Sequence, residues 1–323
     1  MPISIEDLGD RRKLSVTGTQ WDGRRYSHTT QSIETVLSVP TLEEFAQLNG
    51  EQWVINDLKR TECVEYVERA LRAVFKHFPP EGDPARILDF GCGTGTSAVI
   101  LARCGHKVTG VDVQAKYLKA ARMRVEDYGL SGLASFIETE QTARLPFEDG
   151  SFDGVLASGV FEHIAPEQRE QFAAECWRLL KPGGLFYVVG SPNRLWPLEY
   201  HTTNLPLVHW LPVKLALPFV RLFCRRIEGE INRERLIDGG FVGVNLFALL
   251  KWLPGSRLCQ TADGNVGVYF RDIMNPGKGS EVRRAVYSGL HLIYRLMYRP
   301  LKLFNIPVQA FFPYTYLAIR KDA

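Results

Sequence analysis

The stretch Asp89-Phe90-Gly91-Cys92-Gly93-Thr94-Gly95 decides the fold of this 323-residue chain. It follows a short apolar run, Arg86-Ile87-Leu88, and precedes a segment with helical character that begins at Thr96. Glycines at alternate positions allow a sharp turn and leave no side chain between the backbone and a ligand. A loop that cradles pyrophosphate relies on backbone N–H groups and on the positive end of a helix. The carboxylate of Asp89 would repel phosphate and attract an ammonium group, so the loop predicts a cationic ligand without phosphates.

Three further motifs follow in a fixed order. They are Val108-Thr109-Gly110-Val111-Asp112, Leu145-Pro146-Phe147-Glu148-Asp149-Gly150-Ser151-Phe152-Asp153 and Leu180-Lys181-Pro182-Gly183-Gly184. With the glycine loop, they resemble the class I S-adenosylmethionine-dependent methyltransferases of the small-molecule type, and the ubiquinone/menaquinone methyltransferase-like group in particular. The resemblance covers roughly residues 60 to 192. It implies S-adenosylmethionine as the cofactor.

The resemblance also implies which residues hold that cofactor. Asp112, at the end of the second strand, accepts both ribose hydroxyls with its two oxygens, unless it only caps the helix that follows. Relatives carry an acidic residue after the third strand where this chain has Gln141 and Thr142, a departure that leaves the Gln141 amide oxygen to accept from adenine. The full predicted cofactor set is Asp89, Gly91, Gly93, Gly95, Asp112, Val113, Gln141, Thr142 and Ser158.

The alternation of strand and helix patterns predicts an α/β fold with a doubly wound, mostly parallel, seven-stranded Rossmann-like sheet and a helical insertion late in the chain. We expect a methyltransferase core over 61–192, an insertion on the substrate side over 193–312 and the last core strand over 313–323. The sixth strand lies within 256–270, either near Arg257 or at Val266-Gly267-Val268-Tyr269-Phe270.

Residues 1–60 are interpreted as an irregular N-terminal arm, since this region is polar with scattered Gly, Ser and Thr. One interpretation of the arm is a lid over the site, because it contains Trp21, Tyr26 and His28. A poorly ordered terminus with a few anchoring aromatics is the other.

The insertion contains two apolar segments with interleaved cations. The first, residues 205–223, is interrupted by three prolines and is therefore too broken for a membrane span. The second, residues 282–312, mixes arginines with Tyr, Leu, Ile and Phe. Such a segment suits either a helix on an anionic membrane surface or an amphipathic helix that covers the sheet.

Three residues are candidates for catalysis. His163 follows the fourth strand, in the segment that lines the methyl-transfer site of similar small-molecule enzymes, and an imidazole can accept a hydroxyl proton near neutral pH. A histidine that only shapes the pocket is the alternative. Glu199 and His201 lie in a proline-rich segment after the fifth strand, where they bind the acceptor, act as a base or simply belong to fixed turns.

Composition limits the kinds of site, compartment and partner that the sequence allows. The six cysteines form no Cys-x-x-Cys pair and no Cys/His cluster at metal spacing, so we expect no metal site and a reducing, cytoplasmic environment. The first twenty residues lack the apolar core of a signal peptide. From Leu195 onward the chain has 17 Lys and Arg against 9 Asp and Glu. This positive half suits an anionic partner, such as the inner face of a membrane, or is merely a solvated surface.

The sequence thus predicts methyl transfer, most plausibly to oxygen, on a small or lipid-linked, largely apolar acceptor. Nucleic acid is disfavoured because the chain has no Asn/Asp-Pro-Pro-Tyr/Phe motif, no Pro-Cys nucleophile and no recognition module. The alternatives are a non-methylating cofactor-binding scaffold, or another transferase that uses the same cofactor, tethered to a membrane surface. The sequence sets no oligomeric state.

Overall fold

The structure is a computed structural model that describes residues 3–21, 26–63, 67–139, 144–227, 229–260, 281–304 and 306–322. The described strands are β1 (Ile3–Asp7), β2 (Arg12–Trp21), β3 (Tyr26–Thr35), β4 (Arg86–Phe90), β5 (Lys107–Asp112), β6 (Ala134–Glu138), β7 (Phe152–Ser158), β8 (Leu180–Pro192), β9 (Leu198–Glu199), β10 (Leu205–Pro206), β11 (Ser256–Leu258) and β12 (Tyr314–Lys321). The described α-helices are α1 (Val39–Asn49), α2 (Glu51–Glu62), α3 (Val67–His77), α4 (Thr96–Arg103), α5 (Ala115–Asp127), α6 (Arg169–Leu179), α7 (Val213–Phe223), α8 (Arg233–Asp238), α9 (Leu246–Trp252) and α10 (Glu281–Leu303).

Seven strands form the predicted sheet, in the order β11-β12-β8-β7-β4-β5-β6. The pairs β4–β7, β7–β8 and β5–β6 are parallel, whereas β12 is antiparallel to β8 and to β11. Parallel strands are covered on both faces and so read as continuous apolar runs. Val155, Leu156 and Ala157 of β7, all buried, show this pattern. The α/β fold with a mostly parallel seven-stranded sheet is therefore confirmed.

The sixth strand of this sheet is β11, the segment near Arg257. Arg257 lies opposite Arg320 in the antiparallel β11–β12 ladder. The other candidate, residues 266–270, lies outside the described residues.

The chain divides into two compact units, residues 1–72 with 91–140 and residues 73–90 with 141–323. In the first unit, β1, β2 and β3 form a three-stranded antiparallel sheet. Side chains from this sheet share a core with α1, α2 and α5, namely Leu14, Val16, Ile33, Leu37, Leu42, Phe45, Val54, Ile55, Leu58 and Ala120.

The prediction of an irregular N-terminal arm is wrong, because this core is built largely from residues 1–60. Leu14 and Val16 alternate with polar neighbours and point inward, which is the pattern of a half-buried strand. The Ser and Thr residues around them suggested a loop, yet Thr fits a pleated surface well. The side chains of Trp21, Tyr26 and His28, proposed for a lid, lie outside what the structure describes.

In the second unit, the late insertion is helical, as predicted. Helices α7 and α8 pack through a small apolar core of Ala216, Val220, Cys224, Ile231, Leu236, Phe241 and Val242. In the described part of the chain, no helix is both long enough and apolar enough to cross a membrane.

A buried ion pair between Arg124 and Asp57 organises the first unit. Arg124 on α5 is fully buried and Asp57 on α2 is nearly so. Besides this pair, the Arg124 guanidinium donates to the carbonyl oxygen of Thr94 at 3.0 Å and to the hydroxyl of Thr96 at 2.8 Å. Its carbon lies 4.5 Å from the centroid of the Phe45 ring, a cation–π contact. One side chain therefore joins α1, α2, α5 and the start of α4.

We expect that Arg124→Met and Asp57→Asn each lower the free energy of unfolding by about 3–5 kcal/mol, because each leaves a partner buried without its counter-charge. The double variant should lose less than the sum of the two single losses, since it removes both members of the pair. Urea unfolding followed by circular dichroism measures all three values.

Arg60→Ala, which removes an exposed guanidinium from α2, is the matched control and should change the stability by less than about 0.5 kcal/mol. Additive losses in the double variant would show that the two charges are not coupled.

Candidate active site

The predicted cofactor loop leaves β4 with three left-handed glycines. Gly91, Gly93 and Gly95 have φ values of +71°, +51° and +77°. A Cβ at Gly95 would come within 3.0 Å of the Ala121 Cβ atom, so this position needs glycine for space as well as for conformation. A Cβ at Gly93 would meet nothing within 4 Å, so the loop backbone is open there. This open backbone fits a ligand that lies directly on the loop.

Asp112 holds the loop in place. Its Oδ2 accepts from the backbone N–H of Gly93 at 2.9 Å, and its Oδ1 accepts from the N–H of Gln114 at 2.9 Å. Each carboxylate oxygen has a further lone pair, so Asp112 can brace the loop and still accept from a pair of hydroxyls. The residues of this loop and strand therefore fit the ribose and the cationic end of S-adenosylmethionine.

The other predicted cofactor residues are distributed as follows. Asp89 is buried near the end of β4, opposite Leu156 of the parallel strand β7, which ends at Ser158. The carboxyl ends of these two strands therefore lie side by side, where ligands bind in open α/β sheets. Val113 directly follows Asp112 and is 53% exposed. Gln141 and Thr142 lie outside the described residues.

The segment after β7 carries Glu162 and His163 on a short 3₁₀ helix, Phe161–His163. The Glu162 side chain is buried, and its Oε2 accepts from the Ser191 hydroxyl at 2.6 Å. The Nδ1 of His163 lies 2.6 Å from the carbonyl oxygen of Asp238. Because a carbonyl only accepts, Nδ1 donates this hydrogen bond, and in the neutral ring the lone pair is on Nε2.

His201 joins this pair from the segment after β8. The centroids of the His163 and His201 rings are 5.9 Å apart, with the ring planes at 62°. One ligand atom each from Glu162, His163 and His201 lie within 4.8 Å of one another. Burial lowers the pKa of His201, and the neighbouring His163 acts in the same direction, whereas Glu162 and Glu199 oppose them. This favours a neutral His201 ring.

Glu199 holds His201 in position. Its Oε1 accepts from the backbone N–H groups of His201 at 2.7 Å and of Thr202 at 2.8 Å. Its Oε2 accepts from the backbone N–H of Thr203 and from the Thr203 hydroxyl. With both oxygens occupied in a buried turn, Glu199 is better suited to positioning than to proton transfer. Its predicted catalytic role stays a prediction.

Two features beside this cluster were not predicted from the sequence. Gly240, at φ +78°, leaves no room for a side chain, since a Cβ there would lie 2.8 Å from His201 Cδ2 and 3.0 Å from Glu162 Cγ. Arg169 is buried and donates to the carbonyl oxygens of Glu162, Ile164 and Gly243. Burial lowers its pKa to about 10, so it stays charged at neutral pH and clamps the 3₁₀ segment.

A cleft of about 570 Å³ adjoins the cluster in the second unit, lined by Thr202, Arg226, Ile227, Arg235, Asp238 and Gly239. Thr202 is the neighbour of His201 in the chain, and Asp238 is the residue whose carbonyl orients His163. The two arginines place positive charge on the cleft wall.

The chain is similar to known methyltransferases. Residues 88–188 match the family described as "Methyltransferase domain". The chain is 30% identical over 192 residues to the "Ubiquinone biosynthesis O-methyltransferase" of Chelativorans sp. (strain BNC1), a match that covers 56% of this chain and 74% of that protein. It is 34% identical over 148 residues to the "Demethylmenaquinone methyltransferase" of Symbiobacterium thermophilum, covering 43% of this chain and 56% of that protein.

Among solved structures, the chain is similar to a SAM-dependent methyltransferase of Methanosarcina mazei. The two are 29% identical with a TM-score of 0.32, over 35% of this chain and about half (54%) of that one. The match to the ubiquinone-biosynthesis enzyme, which spans most of that protein, is the informative one. The chain therefore belongs to the class I S-adenosylmethionine-dependent methyltransferases of the ubiquinone/menaquinone methyltransferase-like group, and S-adenosylmethionine is its cofactor.

Proposed function

We propose that this enzyme methylates a hydroxyl oxygen of a small or lipid-linked, largely apolar acceptor. The observation that carries the proposal is the hydrogen bond from His163 Nδ1 to the Asp238 carbonyl, in a ring that lies close to the Glu162 carboxylate. This bond leaves Nε2 as the nitrogen that can accept a proton. The names of the relatives, an O-methyltransferase of ubiquinone biosynthesis and a demethylmenaquinone methyltransferase, support a quinone-like acceptor.

When bound, S-adenosylmethionine supplies an electrophilic methyl group on a sulfonium sulfur. An acceptor hydroxyl is a weak nucleophile until it loses its proton. His163 Nε2 accepts that proton, and the resulting imidazolium is stabilised by the Asp238 carbonyl at Nδ1 and by the buried Glu162 carboxylate nearby. Burial favours the neutral form of His201, so this ring adds no positive charge beside the His163 imidazolium and Glu162.

On the cofactor side, we assign Asp112 to the ribose hydroxyls and the backbone of Gly91, Gly93 and Gly95 to close contact with the cofactor. Asp89 attracts its ammonium group, while Val113, Gln141, Thr142 and Ser158 complete the proposed site. The hydrogen bonds of Asp112 to Gly93 and Gln114 support this assignment, because they fix the carboxylate before the cofactor arrives.

The acceptor side is proposed to lie in the cleft next to His201. The cleft wall carries Arg226 and Arg235, which suit an anionic group on the acceptor. Beside it, α7 exposes Leu215, Phe219, Leu222 and Phe223. A lipid-linked acceptor has both an apolar chain and a polar head, and this pairing of surfaces suits such a molecule.

The same surfaces support peripheral docking on an anionic membrane. The apolar side chains of α7 are accompanied by exposed Lys214, Arg221 and Arg225. Helix α10 repeats the pattern, with Leu292, Ile293, Leu296 and Leu303 exposed among Arg295, Arg299 and Lys302. Apolar residues flanked by cations are typical of helices that lie at a lipid interface.

The function is tested by methyl transfer from labelled S-adenosylmethionine to a panel of hydroxylated, prenylated aromatic acceptors. We expect His163→Ala to lower the transfer rate by about 10²-fold or more, since it removes the proton acceptor. The dissociation constant for S-adenosylmethionine should be unchanged. His77→Ala, at the end of α3, is the control and should retain the wild-type rate. A loss below about tenfold in His163→Ala would remove this residue from the proposed role.

Membrane docking is tested by co-sedimentation with phosphatidylcholine vesicles that contain phosphatidylglycerol. We expect binding that weakens as salt rises, because exposed charges are screened. The double variant Leu222→Ser and Phe223→Ser should bind less, whereas Leu8→Ser, which also removes an exposed apolar side chain, should bind like the wild type. Negligible sedimentation of the wild type at low salt would contradict docking.

A further inference from the structure

Arg194 is a half-buried cation at the acceptor end of the sheet, and the proposed mechanism gives it no role. It lies two residues beyond the end of β8, and β8 is parallel to β7, whose end leads to Glu162 and His163. The carboxyl ends of neighbouring parallel strands lie at the same edge of a sheet. Ser191 near the end of β8 donates to Glu162 across this edge. Arg194 therefore follows the strand end next to the proposed base.

The guanidinium of Arg194 has no counter-ion in the described part of the chain. There, no carboxylate lies within ion-pair distance of it, and no carbonyl or hydroxyl oxygen accepts a hydrogen bond from it. Burial lowers its pKa, and no described acidic residue opposes this effect. A charge that is partly removed from water and left unpaired destabilises a folded protein. Such a group is expected where a ligand supplies the missing counter-charge.

Arg169, by contrast, is fully satisfied. Its guanidinium donates to three backbone carbonyl oxygens. Glu162 and Glu167 oppose the lowering of its pKa by burial, whereas the charge of Arg194 adds to it. The two arginines are therefore close enough to repel each other, and of the two only Arg169 is balanced by groups in the described residues.

The backbone around Arg194 is fixed in advance. Its N–H donates to the carbonyl oxygen of Val244 at 2.9 Å, and its carbonyl oxygen accepts from the indole N–H of Trp210 at 2.6 Å. The side chain of the preceding residue, Asn193, donates to two carbonyl oxygens in the segment just before β12. The base of the Arg194 side chain is thus held before any ligand binds, which reduces the ordering cost of recognition.

We propose that Arg194 binds an anionic group of the acceptor, a carboxylate or a phosphate. A planar guanidinium donates two parallel hydrogen bonds to either group. The indole of Trp210, 47% exposed, offers apolar surface to the rest of the molecule. Together with Arg226 and Arg235 on the cleft wall, Arg194 makes the acceptor side positive. The acceptor is then a hydroxylated, largely apolar molecule that also carries an acidic group, an inference that rests on the proposed transfer to oxygen.

Binding of two simple aromatic anions, benzoate and phenyl phosphate, to the full-length protein tests the site by isothermal titration calorimetry. We expect the wild type to bind at least one of them, and the tighter one identifies the acidic group. Arg194→Gln should bind that anion at least about tenfold more weakly, since it loses a charged hydrogen-bond donor. Arg194→Lys, which keeps the charge without the planar fork, should bind with intermediate affinity.

Arg233→Gln is the matched control, because it removes an exposed guanidinium that pairs with Glu167 instead. It should bind both anions like the wild type. Folded wild type that binds neither anion, or Arg194→Gln that binds the tighter anion as well as the wild type does, would overturn the inference. The dissociation constant for S-adenosylmethionine should be unchanged in Arg194→Gln. A tenfold rise would assign Arg194 to the carboxylate of the cofactor and would also overturn it.

Thermal unfolding separates ligand binding from a structural role. Because Arg194 pairs with no described group, the Tm of Arg194→Gln should equal or exceed that of the wild type. Arg169→Gln should have a lower Tm, since it loses its hydrogen bonds to three carbonyls. A Tm of Arg194→Gln as low as that of Arg169→Gln would show that Arg194 is a structural residue.

Methyl transfer to hydroxylated aromatic acids and to their neutral methyl esters separates this inference from the proposed function. The wild type should prefer the acids, and Arg194→Gln should lose that preference through a higher KM. Equal transfer to acids and esters by both proteins would remove the anion site and leave the proposed function standing. Anion binding that depends on Arg194, with no transfer to any hydroxyl acceptor, would support the site and contradict the function.

Discussion

The ion pair between Arg124 and Asp57 is the constraint on which the cofactor half of the molecule depends. A buried guanidinium is costly unless its donors are satisfied. Here the two terminal nitrogens donate to Asp57, to the carbonyl of Thr94 and to the hydroxyl of Thr96, where the glycine loop passes into α4. The planar fork of Arg fixes the directions of these bonds, which Lys would not do. The three left-handed glycines therefore lie in a loop whose far end is held by α2 and α5.

Asp112 completes this arrangement from the other side of the loop. Its carboxylate accepts from the N–H of Gly93 and from the N–H of Gln114, the residue before α5. The sequence suggested two alternatives for Asp112, ribose binding or helix capping. The structure shows no side-chain cap on α5. Asp112 instead accepts from the backbone N–H of Gln114, the N-cap residue, and its carboxylate keeps lone pairs for a ligand. A preformed carboxylate also reduces the ordering cost of cofactor binding.

The acceptor half is built differently, from side chains oriented by backbone carbonyls and amides. His163 is oriented by Asp238, His201 by the turn that Glu199 caps, and Glu162 by Ser191. The proton transfer proposed for the acceptor hydroxyl uses His163 Nε2, and the neighbouring contacts fix the ring that carries it.

Much of the fold could be predicted because parallel strands and their glycine turns leave strong local signals. The mostly parallel sheet and its last strand, β12, were predicted from the alternation of strand and helix patterns, and the roles of the glycine loop and Asp112 from their resemblance to the family's motifs. The N-terminal sheet was missed because its alternation of Leu14 and Val16 is short and rich in Ser and Thr. Arg124 follows Leu118 and Ala121 at a spacing of three on the buried face of α5, a signal that could have identified it as a buried charge. His163 and His201 were both predicted as catalytic candidates, but their contact with each other and with Glu162 could not be, since His201 is distant in sequence and the insertion brings it to the other two.

The central claim is that the glycine loop and Asp112 form a functional S-adenosylmethionine site. Isothermal titration calorimetry with S-adenosylmethionine and S-adenosylhomocysteine tests it most directly, comparing wild type, Asp112→Ala and the exposed α5 variant Glu126→Ala. We expect micromolar binding by wild type and Glu126→Ala and none detectable by Asp112→Ala. Folded wild-type protein that binds neither ligand, or Asp112→Ala that binds as tightly as wild type, would contradict the account.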